Sequence, residues 1–198
     1  MKPLIRAATE QDAAAIQQIY APFCLESAVS FEVQPPTVPD MRQRLQKITA
    51  QYPWLVCEIA GQVAGYAYAC AHRERAAYRW AVDVAVYIGA GQRRLGIGRA
   101  LYASLFRILV LQGYYRAYAG ITLPNPGSVG LHEAMGFTPV GVYRNVGYKA
   151  GAWRDVGWWG LSLQPGRDEP AEPRGVREIQ ESKEYQVALR AGLAHLRL

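Results

Sequence analysis

The stretch from Trp54 to Ile88 sets the strongest limit on what this chain can fold into. Trp54-Leu55-Val56-Cys57-Glu58-Ile59 and the run from Val63 to Cys70 are apolar segments of strand length, separated by the hairpin signal Ala60-Gly61-Gln62. Trp80 to Ile88 follows, with Val82, Val84, Val86 and Ile88 alternating as in a third strand. Strands joined by short connections run antiparallel, so the three predict a meander.

The flanking sequence supplies helices. Leu4 to Ala7 reads as a short strand, and Thr9-x-x-Asp12 is a capping pattern before a helix that buries Ala13, Ile16, Ile19 and Tyr20. Residues 22–37 are irregular, with Pro22, Pro35 and Pro36, and a second helix runs from Val38 to Gln51, ended by Pro53. After the meander come a helix from Ile97 to Gln112, a strand at Arg116–Ile121, a short helix at Ser128–Met135, and strands at Phe137–Val146 and Trp153–Ser162. The order β-α-α-β-β-β-α-β-α-β-β predicts an α+β fold, a mixed, mostly antiparallel sheet flanked by helices. One domain is expected over residues 1–163, a polar proline-rich linker over 164–175, and a C-terminal amphipathic helix over 176–198, where Tyr185, Leu189, Leu193 and Leu196 form a stripe. That stripe and the aromatic pair Trp158-Trp159 predict a homodimer.

Composition narrows the function. With 198 residues and 51% hydrophobic content the chain can bury a sizeable core. No apolar run approaches the roughly 18–20 residues of a membrane span, and polar sequence is reached before a signal peptide develops, so a cytoplasmic protein without a membrane partner is expected. Cys24, Cys57 and Cys70 are widely spaced, suggesting reduced thiols and neither disulfides nor a metal site. The net charge of +6 raises the question of a polyanionic partner. Residues 164–198 carry as many acidic as basic side chains, so the excess lies in 1–163, most tightly in Arg93, Arg94 and Arg99. Wrapped around glycines, that cluster suits a compact phosphate group and not a nucleic-acid backbone.

Those arginines belong to Gln92-Arg93-Arg94-Leu95-Gly96-Ile97-Gly98-Arg99, between an apolar strand and an apolar helix. Glycines let backbone N–H groups converge, and a helix N-terminus adds partial positive charge, so the segment is a candidate anion site. A dinucleotide fingerprint would need Gly or Ala where Leu101 stands, and a P-loop would need Gly-Lys-Ser/Thr, which is missing.

Arg93-x-x-Gly96-x-Gly98 resembles the turn by which GNAT acetyltransferases bind the pyrophosphate of coenzyme A. A second GNAT-like element, Asn125-Pro126-Gly127-Ser128-Val129-Gly130-Leu131-His132-Glu133-Ala134-Met135-Gly136-Phe137, follows in order. With Tyr52-Pro53-Trp54-Leu55-Val56, Val86-Tyr87-Ile88 and Gly147-Tyr148-Lys149-x-Gly151-x-Trp153-x-Asp155-Val156, the chain resembles the phosphinothricin and methionine sulfoximine acetyltransferase group over about residues 3–163. The resemblance implies acetyl-CoA as cosubstrate and transfer of acetyl to the α-amine of a small amino acid such as phosphinothricin, methionine sulfoximine or methionine sulfone. The alternatives are a GNAT enzyme for another amine (a polyamine, an aminoglycoside, a protein N-terminus) and a non-catalytic acyl-CoA-binding module. The resemblance further implies cofactor contacts from Val86, Tyr87 and Ile88, from Arg93, Arg94, Leu95, Gly96, Ile97, Gly98 and Arg99, and from Asn125, for which a helix N-cap is the other reading.

An ammonium must lose a proton before it attacks a thioester. Asp83, interrupting the apolar run Val82-Asp83-Val84-Ala85-Val86, is the candidate base, with a structural salt bridge as the other reading. By the resemblance most relatives carry Glu there; Asp is one methylene shorter, which favours a bridging water. His132 stands where many GNAT proteins place a tyrosine that protonates the departing thiolate, so it is a candidate acid or base, with packing as the alternative. For the acceptor, Arg73, Glu74 and Arg75 lie in the loop before the Asp83 strand, where guanidinium groups could hold a carboxylate. Phe31 and Lys149 are expected at the pocket wall.

Overall fold

Period-two alternation in the central strands puts one set of side chains on each face of a sheet, and each face collects its own helices. A computed structural model describes residues 2–197. The elements are β1 (Leu4–Ala7), α1 (Ala13–Leu25), α2 (Val38–Ile48), β2 (Trp54–Ile59), β3 (Gln62–Ala71), β4 (Ala81–Ile88), α3 (Ile97–Gln112), β5 (Arg116–Leu123), α4 (Pro126–Ala134), β6 (Thr138–Lys149), β7 (Ala152–Ser162), α5 (Val176–Ile179) and α6 (Lys183–Arg190), joined by short 3-10 turns. On one face Leu55, Cys57, Ala67, Val82 and Val84 pack with Leu101, Leu105 and Ile108 of α3. On the other, Trp54, Val56 and Tyr66 pack with Ile16 and Tyr20 of α1 and with Met41 and Leu45 of α2. The α+β expectation and the meander hold, with β2, β3 and β4 antiparallel.

The strands order as β1-β2-β3-β4-β5-β7-β6. β4 and β5 are joined through α3, a crossover that makes them parallel. They pair only at Ala81↔Arg116, Val82↔Ala117 and Asp83↔Tyr118. Beyond Asp83 the strands part, and each stays paired on its far side, β4 to β3 and β5 to β7. The sheet therefore has a wedge-shaped gap near its middle.

The chain after Leu163 differs from expectation. In place of one helix over 176–198 there are α5, α6 and a 3-10 turn at Ala191–His195. Ser182 makes the break, its hydroxyl donating to Ile179 O at 2.7 Å and accepting from Tyr185 N at 3.1 Å as the N-cap of α6. Nor is the apolar stripe free for a partner. Val176, Ile179, Tyr185, Ala188 and Leu189 are buried against the core, and Ser104 of α3 donates to Leu189 O at 2.8 Å. Trp159, half of the aromatic pair expected at a dimer surface, is buried as well. The 164–175 segment is tied down too, with Trp80 Nε1 donating to Ala171 O at 2.8 Å and Arg174 N to Gln112 O at 2.8 Å.

Candidate active site

Where β4 and β5 diverge, the backbone groups of Val84–Ile88 that face β5 have no strand to bond, nor have those of Ala119–Leu123 that face β4. The slot between them is lined by Val84, Ala85, Val86, Tyr87, Ala119, Gly120, Ile121 and Thr122. Tyr102, Asn125, Ser128 and His132 close its α3–α4 side. On the opposite face a cleft of about 490 Å³ opens between Tyr20, Ser30, Phe31, Glu32, Tyr87, Gly120, Thr122 and Val156. One opening thus serves two faces of the sheet, as a reaction between two separately bound molecules requires.

At the outer end of β4 the chain turns into α3. Arg94 and Gly96 take left-handed conformations, with φ of 70° and 79°, which swing successive N–H groups to one side. Among the described residues no acceptor meets the N–H groups of Leu95, Gly96, Ile97, Gly98 and Arg99, so the start of α3 presents a row of bare donors. Arg93, Arg94 and Arg99 are exposed beside it. The glycines themselves answer to protein contacts. A Cβ on Gly96 would overlap the carbonyl oxygen of His195, and one on Gly98 would lie 2.9 Å from Leu131 Cδ2 on α4. The anion is left to backbone N–H groups and guanidinium ions, and these donors fit a pyrophosphate.

Asp83 lies at the closed end of the slot, on the last residue that pairs with β5. Its Oδ1 accepts a 2.6 Å hydrogen bond from Nδ1 of His72. Burial pushes the Asp83 carboxyl up from its ordinary value, while His72 and the nearby Arg73 pull it back only in part. The His72 ring stacks on Tyr118, centroids 4.6 Å apart, and meets Tyr78 and Trp158 edge-on. Sequence reasoning did not single out His72. The signal was in the hairpin register: Cys70 pairs with Asp83, so the residue two past Cys70 falls on the same face, diagonal to the carboxylate.

His132 and Asn125 line the slot on the α4 side. His132 Nδ1 donates to Ser128 O at 2.8 Å, and its Nε2 accepts from the Tyr102 hydroxyl at 2.9 Å. Burial lowers its pKa, so the ring is neutral and both nitrogens are engaged. Asn125 Oδ1 accepts from Ser128 N at 3.1 Å, the N-cap of α4. On β4, Val86 and Tyr87 line the slot, whereas Ile88 pairs with Gly65 and packs against the α3 core. The Tyr87 ring turns away among Tyr20, Phe23 and Tyr66, leaving its backbone to the slot.

The acceptor side brings some expected residues together and not others. Phe31 walls the cleft and lies against Gly147, where a Cβ would overlap its ring. Lys149 is buried and donates to Ser30 O at 2.6 Å and Glu32 O at 2.8 Å, fastening the cleft loop to β6 with its ammonium already committed. Arg73 stacks over Trp158, 5.4 Å from the ring centre. Glu74 and Arg75 are exposed, with no side-chain partner among the described residues. An apolar groove of about 560 Å³ between α3 and α6 lies apart from all of these groups.

A family model described as an acetyltransferase (GNAT) domain matches residues 5–158. The chain belongs to the GNAT acetyltransferase family. It is 42% identical over 175 residues to phosphinothricin N-acetyltransferase of Streptomyces viridochromogenes, covering 88% of this chain and 93% of that one. It is 35% identical over 173 residues to the L-methionine sulfoximine/L-methionine sulfone acetyltransferase of Salmonella typhimurium, covering 85% and 97%. The crystal structure of a phosphinothricin acetyltransferase from Sinorhizobium meliloti in complex with AcCoA superposes with a TM-score of 0.83 at 34% identity, covering 88% of this chain and 96% of that one. The mixed sheet with its central gap is thus the family's fold, and the chain is an N-acetyltransferase. No helix of the described residues is long and apolar enough to cross a membrane.

Proposed function

We propose that this enzyme transfers acetyl from acetyl-CoA to the α-amine of a small amino acid of the phosphinothricin, methionine sulfoximine or methionine sulfone kind. It does so by direct attack, and it works as a cytoplasmic homodimer. One observation carries the reading: a slot through the sheet joins the side of α3, whose start presents bare N–H donors, to a cleft walled by aromatic residues on the other face, with Asp83 at its closed end. The bare N–H groups of Leu95–Arg99 hold the pyrophosphate, and the unpaired edge of β4 holds the pantetheine arm and offers an N–H to the carbonyl oxygen. Bound acetyl-CoA supplies an activated acetyl group, which the amine takes as the C–N bond forms and the C–S bond breaks.

Direct attack fits the thiols, because burial pushes Cys57 and Cys70 up to about 11 and leaves them protonated at neutral pH. Arg73 beside Trp158 is suited to the acceptor's carboxylate. Free thiol release with acetyl-CoA across a panel of amines is the test. Amino acids should be acetylated, their decarboxylated analogues about 10–100-fold less well, and Arg73→Ala should raise KM for the amino acid without changing acetyl-CoA affinity. Equal turnover of an amine with and without its carboxylate would overturn the acceptor assignment.

A further inference from the structure

His72 lies outside the motif-bearing segments, yet its surroundings are those of a working group. Nδ1 is committed to Asp83 Oδ1 at 2.6 Å, a bond that in the neutral tautomer places the proton on Nδ1 and the lone pair on Nε2. The ring plane is fixed by Tyr118 on one face and by Trp158 and Tyr78 against its edges. Nε2 has no hydrogen-bond partner among the described residues and is not sealed from solvent, in a side chain 13% exposed. A histidine needed only to close the β3–β4 connection requires one bond, and this one leaves its second nitrogen bare.

Position completes the case. Asp83 precedes the slot-lining Ala85 by two residues, about 7 Å along a strand, on the same face as Tyr87 of the acceptor cleft. Trp158, in edge contact with His72, also covers Gly120, which lines both slot and cleft. Asp83 Oδ1 is committed to the imidazole by a short hydrogen bond, which ties the carboxylate to His72.

We propose that His72 Nε2 is the proton acceptor for the attacking ammonium, directly or through one water, and that Asp83 acts on His72 as its positioning and charge-balancing partner. The proposal rests on the transferase reading above and replaces Asp83 as the base within it. In the step, an ammonium N–H bond breaks with its electron pair retained on nitrogen, and an N–H bond forms at Nε2. The resulting imidazolium is balanced by the Asp83 carboxylate, and its proton passes to water or to the departing thiolate. The titratable and charged groups facing the pair are Tyr78, Tyr118, Cys70 on β3 opposite Asp83, and Arg73, whose charge also acts on the carboxylate.

The test combines imidazole nitrogen NMR of the free enzyme with kinetics of His72→Gln, His72→Phe and Asp83→Asn. The free enzyme should show His72 protonated on Nδ1 and bare on Nε2, and Asp83→Asn should disturb that tautomer. His72→Gln keeps a donor for Asp83 but has no basic nitrogen. Both His72 variants should lower kcat/KM by about 10²–10⁴ with acetyl-CoA binding, measured by calorimetry, unchanged. The acidic limb of the wild-type pH–rate profile should coincide with the His72 titration seen by NMR. Two results would overturn the proposal: a free-enzyme tautomer protonated on Nε2, or a His72→Gln enzyme within threefold of wild type with the same acidic limb. If the wild type acetylates some other amine and no amino acid, the acceptor assignment falls, and the same variants assayed on that amine still decide the role of His72.

Discussion

Gly96 and Gly98 separate two demands that a glycine motif merges. The left-handed backbone at Gly96 and its contact with the His195 carbonyl make a side chain there a strain on the folded chain before any ligand arrives. Gly96→Ala should cost about 2–4 kcal/mol and lower Tm by on the order of 5–10 °C, read by thermal denaturation without acetyl-CoA. Gly98 has helical geometry and a softer neighbour, the flexible end of Leu131. Gly98→Val should therefore spare more stability while pushing α4 from the helix start and weakening acetyl-CoA binding, which calorimetry measures. Unchanged affinity in a folded Gly98→Val enzyme would refute the pyrophosphate site at this turn. The motif identified these positions, and the reason for the glycines came only with the fold, because His195 is far away in sequence. His72 escaped for a related reason: its meaning depends on a cross-strand diagonal, whereas Asp83 declares itself by interrupting an apolar run.

At the scale of elements, local periodicity was a good guide wherever each set of side chains meets a continuous core. The alternation in β4 survives because Val82 and Val84 pack with α3 on one face while Tyr87 meets the α1–α2 core on the other, and the apolar residues of α3 survive because they pack on the first of these. The tail obeyed a different rule. Its spacing of apolar residues is helical, but Ser182 caps a new helix mid-way and Gly192 lies so close to Ala100 O that a Cβ would overlap it. Tertiary contact thus bends a sequence that local pattern would keep straight. The burial of Tyr185 and Leu189 makes the tail part of the catalytic domain's core and a brace behind the phosphate turn, where Arg197 N donates to Leu95 O at 3.0 Å. Leu189→Ala should cost about 2–4 kcal/mol, whereas Val187→Ala, 64% exposed on the same helix, should change little. Equal Tm values for the two variants would show that the tail does not pack as described.

For the whole molecule, the sheet ends in an edge that a solitary chain would leave bare. Among the described residues β6 bonds only β7, and its residues are exposed from Thr138 to Val146. Val140, Val142, Tyr143, Val146 and Tyr148, with Trp153 of β7, are apolar and aromatic side chains left exposed along this hairpin. Long apolar edges invite pairing, so this hairpin, and not the tail stripe, is the surface that supports the proposed homodimer. Light scattering at micromolar concentration should report twice 22.0 kDa for the wild type, and Val142→Lys/Val146→Lys should report the 22.0 kDa monomer. A wild-type monomer under those conditions would remove the dimer. The same hairpin reaches the acceptor cleft, since Gly147 seats the Phe31 ring and Lys149 holds the Ser30–Glu32 loop. Separating the subunits should therefore raise KM for the amine several-fold through the loosened cleft wall. Acetyl-CoA affinity should stay as it was, because the helix start proposed for the pyrophosphate is built from α3, α4 and the tail, none of which belongs to that edge.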